Sequence, residues 1–257
     1  MSATRKTRVL SKEDIAKGLR ALDAAIESSE LLMSVAPLRF MTVGGMLAVS
    51  LFENRPTTKD IDFLLDPNVD AVREYRTEVR RVINEVGERH GFNDDWMNDE
   101  LKIFIRQSNR LNMFLQSVQQ GMVVHEGRNL VVYAGRLDFA LERKLRRLNG
   151  ENIRPRDLDL SDAVALVHTL KDPDHPLSWQ YCQSLDDNEL GMGVGNFGIK
   201  VVADEYERVH GKQGIVETEW DEQTQCHKYA NLQGEWVYVH ERQISPRKDD
   251  FDGSHGA

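Results

Sequence analysis

Cysteine is scarce. The 257-residue chain holds two, Cys182 and Cys226, far apart and outside any paired motif. That leaves no disulfide framework and fits a reducing compartment, so a cytoplasmic location is expected. Long hydrophobic runs are also missing, and none approaches the roughly 20 residues that a membrane span needs. The opening stretch MSATRKTRVL is basic but lacks the apolar core of a secretory signal. It reads as a short basic arm. Positive charge is in deficit, with a net charge of −9. This argues against a generally basic nucleic-acid coat while leaving room for a local basic groove. Metal-ligand spacing is absent among His125, His168, His175 and His227, and Cys226-His227 is too isolated to form a nucleophile pair. No internal repeat is visible. What remains is a chain of ordinary hydrophobic content, long enough for one large domain or two small ones.

Ser11, with Asp14 three residues on, reads as a variant capping box. Ile15, Leu19, Leu22 and Ile26 then recur at helical spacing, which predicts a helix from about Ser11 to Met33. Leu38–Val43 is a short apolar run and reads as a buried strand. Met46–Phe52 reads as a short helix, and ENRPTTK as a turn around Pro56. Asp60–Leu65 reads as a second strand, closed by the turn signal Asp66-Pro67-Asn68. Val69–His90 carries an apolar helical stripe. Leu101–Ile105 and Leu111–Val118 read as strands, and Met122–Val124 with Leu130–Tyr133 as a hairpin across EGRN.

Arg136–Leu148 reads as a basic helix whose Arg143, Lys144, Arg146 and Arg147 form a solvated face, or else a surface for phosphates. Asp157–Leu170 and about Asn196–Val209 are further helices, and Gly211 ends the last. One or two late strands fit Ile215–Ile244. The loop GMGVGNFG reads as flexible, because it lacks the preceding strand and Lys-Ser/Thr ending of a phosphate loop. Trp96, Trp179, Trp220 and Trp236 read as core or interface residues. The expected fold class is α+β: a mixed sheet flanked by helices over residues 1–134, a mainly helical region over 135–245 that packs on it, and a disordered tail over 246–257.

The most informative stretch is LRFMTVGGMLAVSLFENRPTTKDIDFLL, residues 38–65. Side chains two apart on a strand share a face. Asp60 and Asp62 therefore project together, with Ile61 and Phe63 opposite. Two carboxylates on one strand face repel unless a cation or a base sits between them. A hard divalent ion is the simplest resolution, because Mg²⁺ takes one or two carboxylates and completes its shell with phosphates and water.

A glycine pair, a short helix and then Asp-x-Asp on a strand, here Gly44-Gly45 followed by Asp60-Ile61-Asp62, resembles the nucleotidyltransferase superfamily. The likeness is to the subgroup with the pattern GG…RxTxDID, which includes type IV toxin–antitoxin nucleotidyltransferases. The later stretch AGRLDFALERKLRRLNGENIRPRDLDLSDAVAL also looks like that subgroup, with a lysine-bearing helix before a loop and an acidic helix start. The resemblance implies a nucleotidyltransferase-like fold. It implies that Gly44 and Gly45 let backbone N–H groups approach a triphosphate, that Asp60 and Asp62 hold Mg²⁺, and that Arg55, Lys59 and Lys144 contact phosphates. A third acid on a neighbouring strand normally completes such a site. The best match for it is Asn112, an amide that can coordinate a metal but cannot act as a base near neutral pH.

The implied activity is transfer of a nucleotidyl group from a nucleoside triphosphate to an RNA end, a protein or a small-molecule hydroxyl. Two alternatives stand beside it. One is an aminoacyl-tRNA-dependent synthase on the same fold, such as an arginine-containing cyclodipeptide synthase, with the acids recognising a cationic amino acid. The other is a degenerate, non-catalytic binding protein of the antitoxin kind.

Overall fold

The computed structural model describes residues 8–150, 156–189 and 191–246. The basic arm before Arg8 and the tail expected beyond Pro246 lie outside the described residues. The chain is α+β and divides into two compact units, Met1–Arg136 and Leu137–Ala257. Among the described residues no helix is long and apolar enough to cross a membrane.

The first unit opens with helix α1 (Lys12–Ile26), and Ser11 and Asp14 form the expected capping box. The helix stops short of Met33. Ser29 caps a separate turn, Glu30–Met33, and its hydroxyl donates to Glu78 at 2.7 Å. Serine side chains that bond locally compete with helix continuation, and here that competition wins.

A five-stranded sheet follows. Its strands are β1 (Leu38–Thr42), β2 (Ile61–Leu65), β3 (Met97–Asn98), β4 (Val123–Glu126) and β5 (Leu130–Ala134), in the order β3-β2-β1-β5-β4. β2 is antiparallel to β1, β5 is parallel to β1, and the expected hairpin joins β4 to β5. The short helix α2 (Gly45–Ser50) leaves β1 at the glycine pair. Two further helices are α3 (Arg73–His90) and α4 (Arg110–Gln120).

One sheet face presents Leu38, Phe40, Ile61, Phe63, Leu130 and Val132 to the apolar sides of α1 and α3. The Phe40 and Phe63 rings stack across β1 and β2 at 4.7 Å. Trp96 is fully buried in this core, and its Nε1–H donates to the Ile83 carbonyl of α3 at 3.1 Å. The indole needs bare backbone on both flanking helices. A Cβ added at Gly18 of α1 or at Gly87 of α3 would lie 2.6 Å or 2.9 Å from it.

Two expected strands are not strands. Glu100–Phe104 is a 3-10 turn, and the apolar run at Leu111–Val118 lies within α4. In α4 the buried positions are Met113, Phe114 and Ser117, at helical spacing, while Leu111 and Leu115 face solvent. The run is dense enough to fit either period. Helix is selected because Ser117 reaches the second sheet face: its hydroxyl meets Met41 Sδ of β1 and accepts the Arg136 N–H at 3.1 Å.

The second unit holds helices α5 (Leu137–Asn149), α6 (Arg156–Leu170) and α7 (Asn196–His210). A three-stranded antiparallel sheet follows, β6 (Glu219–Asp221), β7 (Cys226–Ala230) and β8 (Trp236–Val239); with Ile215–Val216, which pairs with Leu177–Ser178, Ile215–Ile244 holds four strands where the sequence suggests one or two. The basic side of α5 is not a solvated face. Lys144 is buried, with its ammonium 2.7 Å from Asp159 and 2.5 Å from Asp162 of α6. Arg147 also reaches Asp159, and Arg146 binds Glu142 and Asp186. Nor is the glycine-rich loop loose. The Val194 N–H donates to the Gln183 carbonyl at 3.0 Å, and Gly198 packs on Leu145 and Asn149.

Trp96 anchors three elements of the first unit at once. Trp96→Ala should lower the unfolding free energy of that unit by about 3–5 kcal/mol, measured by urea denaturation followed through circular dichroism.

Candidate functional site

The site is built where β1 and β2 end together. The Thr42 hydroxyl on β1 donates to the Asp62 carbonyl on β2 at 2.8 Å, which fixes the two strands beside the glycine pair. The two glycines serve different ends. Gly44 has φ 75° and ψ −129°, a conformation that side-chain-bearing residues avoid. A Cβ there would meet nothing within 4 Å, so its surface is open. Gly45 has the opposite problem. A Cβ there would lie 2.0 Å from the Thr58 hydroxyl oxygen and 2.7 Å from a guanidinium nitrogen of Arg55. The loop that carries Arg55 and Thr58 can therefore close onto the start of α2. Thr57 and Thr58 are held in place by antiparallel pairing with Ser11 and Leu10.

Asp60 and Asp62 lie on the face of β2 opposite the core, as their spacing predicts. Ile61 and Phe63 are buried, while both acids remain partly exposed. Burial pushes the Asp60 carboxyl above its ordinary range, and the negative charge of Asp62 pushes it further. Asp95 and Glu100 act in the same direction, and only Lys59 opposes them. The Lys59 ammonium stands 3.7 Å from Asp60 but 2.8 Å from Asp95. Its hydrogen bond to Asp95 holds it above the ordinary lysine range and holds Asp95 below the ordinary carboxylate range. Most of the positive charge of Lys59 is thus spent on Asp95.

Asn112 does not stand beside these acids on a neighbouring strand. It is an exposed residue of α4. The residue that does occupy the position across from Asp62 is Asn98 of β3, at the same register of the parallel pair. Paired residues of a parallel ladder share a face, and the Ile61–Met97 pair at the previous register is buried in the core. Asn98 also holds its own loop, its side-chain oxygen accepting the Glu100 N–H at 3.0 Å. Sequence reasoning missed it because β3 is two residues long and lies inside the acidic run NDDWMNDE. The only signal was the apolar pair Trp96-Met97 set among polar neighbours. Lys144 belongs to the second unit, where Asp159 and Asp162 hold its ammonium.

A cavity of about 540 Å³ lies between α3 and the segment Asn93–Glu100, with Arg76, Arg80, Asn84 and Glu88 on the helix side. Asp60 and Asp62 do not line it. The two places share one wall, since Asp95 borders the cavity and also binds Lys59. Among the described residues no group of three or more His, Cys, Asp or Glu side chains is gathered for a metal ion. Two carboxylates suffice for Mg²⁺ when phosphates and water fill its remaining positions. The donor set at Asp60 and Asp62 fits such an ion, because a cation there would reverse the cost that burial and like charge impose on Asp60. Comparison of the chain with known protein families, with curated proteins and with solved structures finds no match in any of the three.

The Asp60 shift has a sign that stability reads out. Its folded pKa lies above the unfolded value, so the ionised form weakens the fold at neutral pH. That penalty disappears as pH falls through the folded pKa. Asp60→Asn should therefore raise the melting temperature at neutral pH, and the gain should fade in acid, as followed by thermal unfolding across a pH series.

Proposed function

We infer that the chain is a nucleotidyltransferase-fold enzyme that moves a nucleotidyl group from a nucleoside triphosphate to a hydroxyl on an RNA end, a protein or a small molecule. One observation carries this reading. Two carboxylates project from a single strand face beside a glycine turn whose outer side is open, and burial and the neighbouring charge raise the pKa of one of them. Carboxyls with shifted pKa values cluster at functional sites. Asp60 and Asp62 would hold Mg²⁺. When bound, that ion supplies charge neutralisation for the triphosphate and the developing transition state.

The chain's own groups bind and orient. Gly44 lets the triphosphate approach the backbone without meeting a side chain. Arg55 brings positive charge to the same end of the sheet and steers an anionic substrate, and Lys59 adds only what its bond to Asp95 leaves. Asn98, facing the same side as Asp62, offers a carbonyl oxygen or an amide donor and cannot take a proton near neutral pH. The acceptor hydroxyl is thus placed by binding, without a dedicated base at this position. Loss of residues that only orient metal ligands commonly costs 10- to 100-fold in activity. Asp60→Ala or Asp62→Ala should cost roughly a hundredfold or more. Labelled triphosphates incubated with Mg²⁺ and candidate acceptors test this, and the reading fails if the wild type neither binds nor consumes any of them.

Asn98 at the register of Asp62 favours a second reading. With an amide there, the acid pair suits a guanidinium, which carboxylates pair with bidentately. The substrate would then be an arginine carried on tRNA, and the product a dipeptide. Supplying arginyl-tRNA should yield that product by mass spectrometry with no triphosphate consumed. Activity that survives RNase treatment of the charged tRNA would sink this alternative.

A further inference from the structure

The three-stranded sheet of the second unit has two unlike faces. Tyr229 and Val239 pack inward with Val216 and Ile244. The opposite face carries Lys228, which pairs in register with Glu219 on one side and Tyr238 on the other, and Trp236 lies two residues along from Tyr238. Trp236 and Tyr238 are 52% and 49% exposed, unusual for large aromatic residues placed side by side on one strand. Their strand, β8, is an edge of the sheet and pairs only with β7 among the described residues. The Asn231 N–H donates to the Glu235 carbonyl at 2.9 Å, so Glu235 faces β7. Backbone direction alternates along an antiparallel strand. Trp236 and Tyr238 therefore turn their N–H and C=O groups to the open edge, while their rings lie on the open face.

The chemistry of this face selects a cation. Its charged residues are Glu219 and Asp221 against Lys228, an excess of one negative charge. The structure already seats one ammonium there. Lys228 Nζ sits 4.8 Å from the centre of the Trp236 ring, 3.4 Å from Asp221 and 4.0 Å from Glu219. An aromatic face flanked by carboxylates is a cation site by both quadrupole and charge. The same excess of negative charge repels a phosphate backbone.

We propose that the open edge and aromatic face of β8 dock an extended polypeptide segment with Lys or Arg at alternate positions. The segment adds as a fourth strand beside β8. Its backbone bonds to the outward N–H and C=O groups of Trp236 and Tyr238, and every second side chain lies over their rings on the open face. The period of two explains why the aromatic residues and the free backbone groups fall on the same two residues.

The test uses the full chain and a fluorescein-labelled 12-residue peptide with Lys or Arg alternating with Thr and Val. Matched probes are a peptide with Glu at the charged positions and a single-stranded oligonucleotide. Fluorescence anisotropy should show the basic peptide binding and both other probes failing. Trp236→Ala and Tyr238→Ala should each weaken it about tenfold, matching roughly 1.4 kcal/mol of lost cation–aromatic contact. Tyr238→Pro, which removes an outward N–H at a position where an edge strand tolerates proline, should abolish it. Circular dichroism checks that each variant is folded. Independently of any variant, hydrogen exchange should slow at the Trp236 and Tyr238 amides of the wild type when peptide is added. Preference for the oligonucleotide or the acidic peptide overturns the proposal. So does a basic peptide that leaves those two amides unprotected.

Discussion

The two-residue period of β2 holds the first unit together and sets its charge apart from its core. Ile61, Phe63 and Leu65 enter the apolar cluster, and Asp60 and Asp62 are sent to the other face. A slip of one register would bury both acids and expose three large apolar side chains. Several independent contacts forbid that slip. The Ile61 N–H donates to the Trp96 carbonyl, the Thr42 hydroxyl donates to the Asp62 carbonyl, and the Asp66 N–H donates to the Arg39 carbonyl. Trp96 is thus tied both to α3 through its indole and to β2 through its backbone.

Three acids share the outer face of this strand and its end, and they meet different fates. Asp66 is nearly fully buried, binds the Arg39 guanidinium at 2.5 Å and caps the following turn by accepting the Asn68 N–H. It is a structural acid. Asp60 has no comparable partner, since Lys59 leans toward Asp95, and burial and like charge raise its pKa instead. The separation of these roles rests on where cations stand, and identical residue types two or four positions apart give no hint of it. The second unit shows the complementary case. Lys144, Arg146 and Arg147 look like a free basic patch in sequence, yet carboxylates from α6, from α5 itself and from Asp186 absorb them. An ion cluster that is this buried fixes helix packing more than it advertises for phosphates.

Local chemistry made much of this readable beforehand. The capping box at Ser11, the strands around Gly44-Gly45, the hairpin to Ala134 and the helices α3, α5, α6 and α7 follow from caps, turn residues and apolar period. Misreadings fell where period and density disagree. LNMFLQSV fits a strand by its run of apolar residues, and helix emerges only because Met113, Phe114 and Ser117 have a sheet face to cover. A two-residue strand such as β3 has too few positions to show any period, so Asn98 was hidden while Asn112 drew attention on a strand that does not exist.

The sequence by itself determined that Asp60 and Asp62 share a face, that the backbone turns at a glycine pair just before them, and that the chain is α+β. These depend on spacing and backbone freedom, which are properties of neighbours along the chain. Only the tertiary structure decided that Asn98 stands across from Asp62, that Lys59 is drawn away to Asp95, that Gly45 is needed to admit Thr58 and Arg55, and that Lys144 is enclosed by two aspartates. Those outcomes depend on distances between residues far apart in sequence. Charge and packing act through those distances.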